Sequence, residues 1–130
     1  MEEGKQQSVY FWGMFLGKDY PVPTRVKELE GKGVQDIASG GFFYLAVTSQ
    51  GQLFGWGNNK YHRFGLPNDE DIPVPKPIPL KVQAIIIAAG NWHSMLIDQD
   101  SHVWASGHNK QGACGVGSFD NVPTYTPVHG

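Results

Sequence analysis

Covalent reinforcement is almost absent from this chain: its 130 residues include one cysteine, Cys114. An intrachain disulfide is excluded, and a reducing intracellular compartment, cytoplasmic or nuclear, is the simplest reading. Positive charge is not in excess either. Ten Lys and Arg stand against 12 Asp and Glu, a net charge of -2, and no dense basic cluster interrupts the balance. A surface built to bind nucleic acid directly is therefore not expected. Long hydrophobic runs are also missing. The stretch Ala84–Ala89 reads as a buried strand and falls far short of the roughly 20 apolar residues a membrane-spanning helix needs. Residues 1–8 open with Met1-Glu2-Glu3-Gly4-Lys5. They are expected to form a flexible N-terminus, since they have no apolar signal core. Helical periodicity is scarce. Only Val26–Glu30 has a faintly helical pattern, and Gly31 and Gly33 end it.

Glycine, proline and hydrophobic residues are abundant. The chain has 17 Gly and 9 Pro, and it is 40% hydrophobic. That combination describes a globular chain with many tight turns and predicts an all-β fold. A repeat appears at an offset of 50 residues without a gap. Ile37-Ala38-Ser39-Gly40 returns as Ile87-Ala88-Ala89-Gly90, and Phe42 as Trp92. Leu45 returns as Met95, Leu53-Phe54 as Val103-Trp104, Gly57 as Gly107, and Asn59-Lys60 as Asn109-Lys110. Pro73 and Pro77 return as Pro123 and Pro127. A shorter copy opens the chain: Val9-Tyr10-Phe11-Trp12-Gly13 matches Leu53–Gly57, and Pro21-Val22-Pro23 matches Pro73-Val74-Pro75.

The repeats divide the chain into a partial unit over 9–33, a repeat over 34–83 and a truncated repeat over 84–130. Each reads as short strands. Val34–Ala38 and Phe43–Thr48 precede the turn Ser49-Gln50-Gly51, and Gln52–Trp56 follows as the hairpin partner. The prolines late in each repeat confine that stretch to a loop or a sheet edge. Units of about 50 residues with several strands suit the blades of a β-propeller. Trp12, Trp56, Trp92 and Trp104 recur in the pattern and are expected in the core.

Ile37–Gly40 through Gln52-Leu53-Phe54-Gly55-Trp56-Gly57 resembles the signature of the regulator of chromosome condensation repeat. Ile87-Ala88-Ala89-Gly90-Asn91-Trp92-His93-Ser94 is similar and keeps the family's His-Ser pair, while Gln111–Gly117 is similar to its Gln-Leu-Gly-Leu-Gly segment. There are departures. Phe43-Tyr44 stands at the His-Ser position, Tyr61-His62-Arg63-Phe64 replaces the Gly-Gln-Leu stretch, and Ala105-Ser106 interrupts Trp-Gly. The resemblance implies propeller blades in an incomplete ring, about two blades plus an opening strand piece, where the family's ring has about seven. It also implies that His93 is structural, bonding backbone between blades.

Chemistry-bearing motifs are few. Gly13–Asp19 has too short a glycine spacing for a phosphate loop and ends in Lys18-Asp19 instead of Lys followed by Ser or Thr. His102, His108 and Cys114 have five residues between each pair, wider than usual zinc-ligand pairs. No catalytic residue, cofactor site or metal site is predicted. Cys114 is expected to be a packed thiol.

The leading expectation is a protein–protein interaction module or scaffold, with partners engaging loops on a rigid frame. The candidate loops are Asn58, Asn59, Lys60, Tyr61, His62 and Arg63; the acidic run Asp69, Glu70 and Asp71; and Asn91, Trp92 and His93. The resemblance supplies an alternative, guanine-nucleotide exchange on a small Ran-like GTPase, and a second, a structural subunit of a larger assembly. Because two repeats leave a blade face uncovered, self-association or a longer parent chain is expected.

Overall fold

The computed structural model describes residues 8–129, so nearly all of the expected flexible N-terminus lies outside the described residues. The chain is all-β. A hairpin of β1 (Tyr10–Phe15) and β2 (Lys18–Arg25) leads, through a short 3-10 turn at Lys27–Leu29, into two four-stranded sheets. The first holds β3 (Val34–Ser39), β4 (Phe43–Thr48), β5 (Leu53–Gly57) and β6 (Ile72–Ile78). The second holds β7 (Ala84–Ala89), β8 (His93–Asp98), β9 (Val103–Gly107) and β10 (Val122–Pro127). Both are antiparallel meanders with strands in chain order. All four strand starts in the second sheet lie 50 residues after those in the first, so the sequence offset is also the structural one. The faint helical signal becomes only that single 3-10 turn, because the two glycines stop it.

The sheets are two blades lying side by side. Their proline-bearing strands, β6 and β10, are edge strands, where a missing backbone donor is tolerated. Inner strand β7 meets the first blade: the Ile87 amide donates to Asp36 Oδ2 of β3 at 3.2 Å, and the Ala84 amide to the Gly51 carbonyl of the β4–β5 turn at 3.1 Å. Between the blades runs one hydrophobic core holding Phe43, Leu45, Val47, Leu53, Phe64 and Leu96, all at most 1% exposed.

The opening hairpin has the form of the outer half of a blade. Gly13, Gly57 and Gly107 all take a left-handed φ, of 96°, 110° and 120°. A register shift in the strand pairing ends at both Gly13 and Gly57. At Gly57 and Gly107 a Cβ would press within 2.6 Å of a neighbouring backbone, whereas at Gly13 nothing lies within 4 Å. An inner strand pair is thus present beside β5 and β9, but none of the described residues supplies one beside β1. Ile37 is accordingly 59% exposed, while its repeat partner Ile87 is 6% exposed. A groove of about 350 Å³ runs between β1 and the inner strands, lined by Phe11, Ile37, Ala38, Tyr44 and Trp56 among others.

The expected tryptophan core needs correcting. Trp56 is buried and Trp104 half-buried, but Trp12 is 64% and Trp92 45% exposed. Trp12 lies on the opening hairpin, beside which the described residues supply no inner strands, and Trp92 sits in a turn instead of a strand. The aliphatic run Ala84–Ala89 is also only partly buried. Ile85 and Ile86 are exposed, while Ala84 and Ile87 face the blade joint.

Gly40 and Gly90 occupy equivalent turns, and a Cβ on Gly40 would stand 2.0 Å from the Gly90 carbonyl oxygen and 2.3 Å from the Phe43 ring. Gly40→Ala is expected to lower unfolding stability by about 1–3 kcal/mol through overpacking, read from urea denaturation. Ser39→Ala, at the exposed neighbouring position, should stay within about 0.5 kcal/mol. Equal effects would contradict the tight inter-blade approach.

Candidate functional site

Antiparallel strands put the β3–β4 and β7–β8 turns and the β5–β6 and β9–β10 loops at one end of the blades, and the contact of Phe15 with Tyr44 brings the β1–β2 turn to the same end. The β3–β4 and β7–β8 turns abut, since the Gly41 amide reaches the Gly90 carbonyl at 3.4 Å. The exposed large hydrophobics found in connections all lie at this end: Leu16, Phe42, Trp92 and Phe119. None is in the turns at the opposite end among the described residues. Phe42 is 67% exposed and holds a left-handed φ of 63°, a conformation disfavoured for an aromatic residue.

Several predicted residues meet here. The Tyr61 ring lies edge-on to Trp92 at 5.6 Å and to His108 at 4.8 Å. The Lys60 ammonium stands 5.3 Å from the Tyr61 ring. Asn91 is exposed beside Trp92, and Asn58 is half-buried, its Oδ1 accepting the Lys60 amide. The acidic run, on the segment leading into edge strand β6, folds back on the 58–63 loop. Asp69 sits 3.3 Å from His62 Nδ1, and Glu70 is exposed. Asp71 Oδ1 accepts the Asn59 amide at 3.4 Å.

Asn59 and Arg63 need correcting as contact residues, because both side chains are buried. Asn59 Nδ2 donates to the Asn68 carbonyl at 2.7 Å, and its repeat partner Asn109 donates likewise to Ser118 and Asp120 carbonyls. The asparagine therefore ties its long loop together in each blade. Arg63 is 1% exposed. Its Nε donates to the Lys60 carbonyl at 2.8 Å and its Nη1 to the Gly41 carbonyl. Its guanidinium carbon lies 4.6 Å from the Trp92 ring centre and 5.6 Å from that of Phe43. Arg63 thus pins the loop of one blade beneath the turn of the next. Burial lowers its pKa and Asp71 opposes that shift; an arginine remains charged regardless.

Hydroxyls complete the joint. Ser94 Oγ donates to the Arg63 carbonyl and receives the Tyr125 hydroxyl at 2.6 Å. Ser106 Oγ lies 2.8 Å from the His62 carbonyl. Burial raises the Tyr125 pKa, and its bond to Ser94 only partly opposes this. The sequence reading passed over Ser94, Ser106 and Tyr125. Their signal was there in part, since Ser94 belongs to the recognised His-Ser pair. Phe42 and His108 were missed as surface residues, although Phe42 directly follows Gly40-Gly41.

Metal and nucleophile chemistry find little support. Ligand atoms of Asp98, Asp100 and His102 lie within 4.8 Å of one another. However, Asp98 Oδ1 already accepts the amides of Asp100 and His102, and Oδ2 accepts the Trp104 indole at 2.9 Å. Burial raises the pKa of this carboxyl, but those hydrogen bonds and His102 outweigh it and the net shift is downward. It is a clamp on the β8–β9 turn. Cys114 is fully buried, packed with Ala105 and Val122, and burial raises its pKa; a thiolate is disfavoured there.

His93 is half-buried, and its ring lies against Gly90, where a Cβ would meet it at 2.6 Å. Its pKa is lowered by burial and further by His108. Protonation therefore favours the unfolded chain. The associated stability is complete above the ordinary histidine value of about 6.5 and declines as pH falls below it. His93→Gln should flatten the fall in urea midpoint between about pH 7 and pH 5; an unchanged fall would contradict this role.

Known proteins share this pattern. The Regulator of chromosome condensation (RCC1) repeat matches residues 34–63 and 84–113 in one description and 50–97 in another. The human probable E3 ubiquitin-protein ligase HERC6 is 32% identical over 126 residues, covering 85% of this chain and 12% of that protein. The RCC1 domain-containing protein RUG3, mitochondrial, of Arabidopsis thaliana is 35% identical over 112 residues, covering 83% and 25%. Among solved structures, yeast RCC1 (Prp20) bound to Kap60 superposes with a TM-score of 0.83 at 18% identity, over 96% of this chain and 33% of that one. Human WBSCR16 gives 0.77 at 23% identity, over 92% and 33%. This chain spans at most a third of each. The long repeat matches, the 50-residue structural offset and the shared blade geometry agree, and the chain belongs to the RCC1 repeat family.

Proposed function

We propose that the chain acts as a protein-interaction module, a segment of an RCC1-type propeller that presents one loop face to a protein partner. One observation carries this reading: the exposed Leu16, Phe42, Trp92 and Phe119 all stand in connections at the same end of the blades. Aromatic side chains on a rigid frame are common anchors of protein interfaces. Relatives support the class of activity. One yeast RCC1 structure is bound to Kap60, and another is described with its binding properties to Gsp1p and histones. No helix among the described residues is long and apolar enough to cross a membrane, and an intracellular site of action agrees with the single buried thiol.

Guanine-nucleotide exchange is the second reading, and the family relationship is its only support. A fold does not fix an activity, and the chain covers 33% of yeast RCC1.

Phe42→Ala combined with Trp92→Ala should abolish capture of the partners that the wild-type chain retains, in a variant that still melts cooperatively although at a lower temperature, because Trp92 packs on Arg63. Retention of the same partners by the folded variant would contradict the reading. Substoichiometric chain should leave labelled GDP release from a Ran-type GTPase at its intrinsic rate, and acceleration would favour the second reading.

A further inference from the structure

Arg63 carries a charge with no carboxylate in direct contact among the described residues, and Asp71 acts on it only from beyond ion-pair distance. Its guanidinium is buried, its hydrogen bonds go to two carbonyl oxygens, and no carboxylate lies within 4 Å of it among the described residues. Buried charges ordinarily have a counter-charge. The nearest acids have other partners: Asp71 accepts the Asn59 amide and Asp69 lies against His62. Above Arg63 lie Trp92 and the exposed Lys60 beside Tyr61, and the abutting turn carries Phe42. No acidic residue occurs in either turn, Gly40–Phe42 or Gly90–Trp92. The loop end therefore has an aromatic, electropositive centre, and its acids Asp69, Glu70 and Asp71 precede edge strand β6.

We propose that this centre takes an acidic side chain from a protein partner, with the carboxylate set beside Lys60 over the Arg63–Trp92 pair and an apolar neighbour against Phe42. This rests on the protein-interaction reading and gives the partner its chemistry. Arg63 acts from beneath, through its field and by holding Trp92 in place, while Lys60 makes the direct contact. A carboxylate suits the site better than a nucleic-acid backbone. The exposed run Asp69–Asp71 and the net charge of -2 would repel a nucleic-acid polyanion, while a carboxylate needs only the local cation Lys60.

The test is an amide and indole NMR titration of the full chain with three probes. These are a capped Glu-Glu-Phe-Glu-Glu peptide, its Lys-Lys-Phe-Lys-Lys counterpart and a ten-nucleotide oligothymidine. The acidic peptide should shift Phe42, Lys60, Tyr61 and Trp92 resonances, with the response weakening as salt rises. Lys60→Glu should weaken it by about fivefold or more while leaving the spectrum otherwise folded. Arg63→Met should weaken it as well, and if that variant unfolds, Lys60→Glu alone decides. Equal shifts from the lysine peptide at these residues would overturn the acidic preference but keep the face as an interaction surface. Preferential binding of the oligonucleotide would overturn the carboxylate assignment, as would an acidic-peptide response elsewhere on the chain. Silence from all three probes would overturn it too.

Discussion

Two sheets share one core here because their backbones touch where side chains are missing. Gly40 and Gly41 bring the β3–β4 turn against the β7–β8 turn, and a Cβ on either would lie within 2.7 Å of a carbonyl oxygen of the next blade. At the opposite end a Cβ on Gly51 would meet Gln83 Cβ at 2.5 Å. With the inner strands this close, the Ile87 amide reaches Asp36 and the Ala84 amide reaches Gly51. The outer strands then diverge, and Phe64, Leu66 and Tyr125 enter the wedge between them. Glycines at the narrow side and aromatics at the wide side set the angle between blades, and packing density does the rest.

Not every joint in this chain has the same chemistry. Between the two blades, Ser94 and Ser106 reach backbone carbonyls of Arg63 and His62. Between the opening hairpin and the first blade, the equivalent positions are Tyr44 and Trp56, which stack at 5.5 Å, with Phe15 set 5.7 Å from Tyr44. The first joint is directional and polar; at the second, the stacked Tyr44–Trp56 pair of the first blade meets Phe15, and neither side chain of the pair makes a hydrogen bond among the described residues. Arg63 belongs to the polar joint, and through Trp92 it links the joint to the loop face. A surface built on that pair inherits its rigidity, which lowers the ordering cost of binding.

The fold was legible in the sequence because the repeat is gapless. An offset of 50 in the letters became an offset of 50 in the start of each blade strand, and β4 was delimited correctly at both ends by its β-branched and aromatic content and its flanking turns. The opening piece was legible as a shorter copy of the repeat from Val9–Gly13 and Pro21-Val22-Pro23, but its pairing into a hairpin was not. Side-chain burial in the loops was less so. Arg63 and Asn59 look solvent-facing by composition, yet the guanidinium and amide satisfy carbonyls that only the folded loop brings together. Trp92 was misread for the opposite reason: a large aromatic suggests a core, but its turn position leaves it half in solvent, resting on Arg63. These placements depend on contacts within the folded loop for Asn59 and on the neighbouring turns of both blades for Arg63 and Trp92, and residue type alone does not encode them.

Native-state hydrogen exchange at the amides of Ile87 and Ala84 tests the central claim most directly, since both donate across the seam between blades. If the seam is part of one cooperative unit, both amides will open with the same free energy as the interior amides of β4 and β8. If they instead exchange at a markedly lower free energy while β4 and β8 stay protected, the blades part independently and the account of a shared, glycine-set joint is wrong.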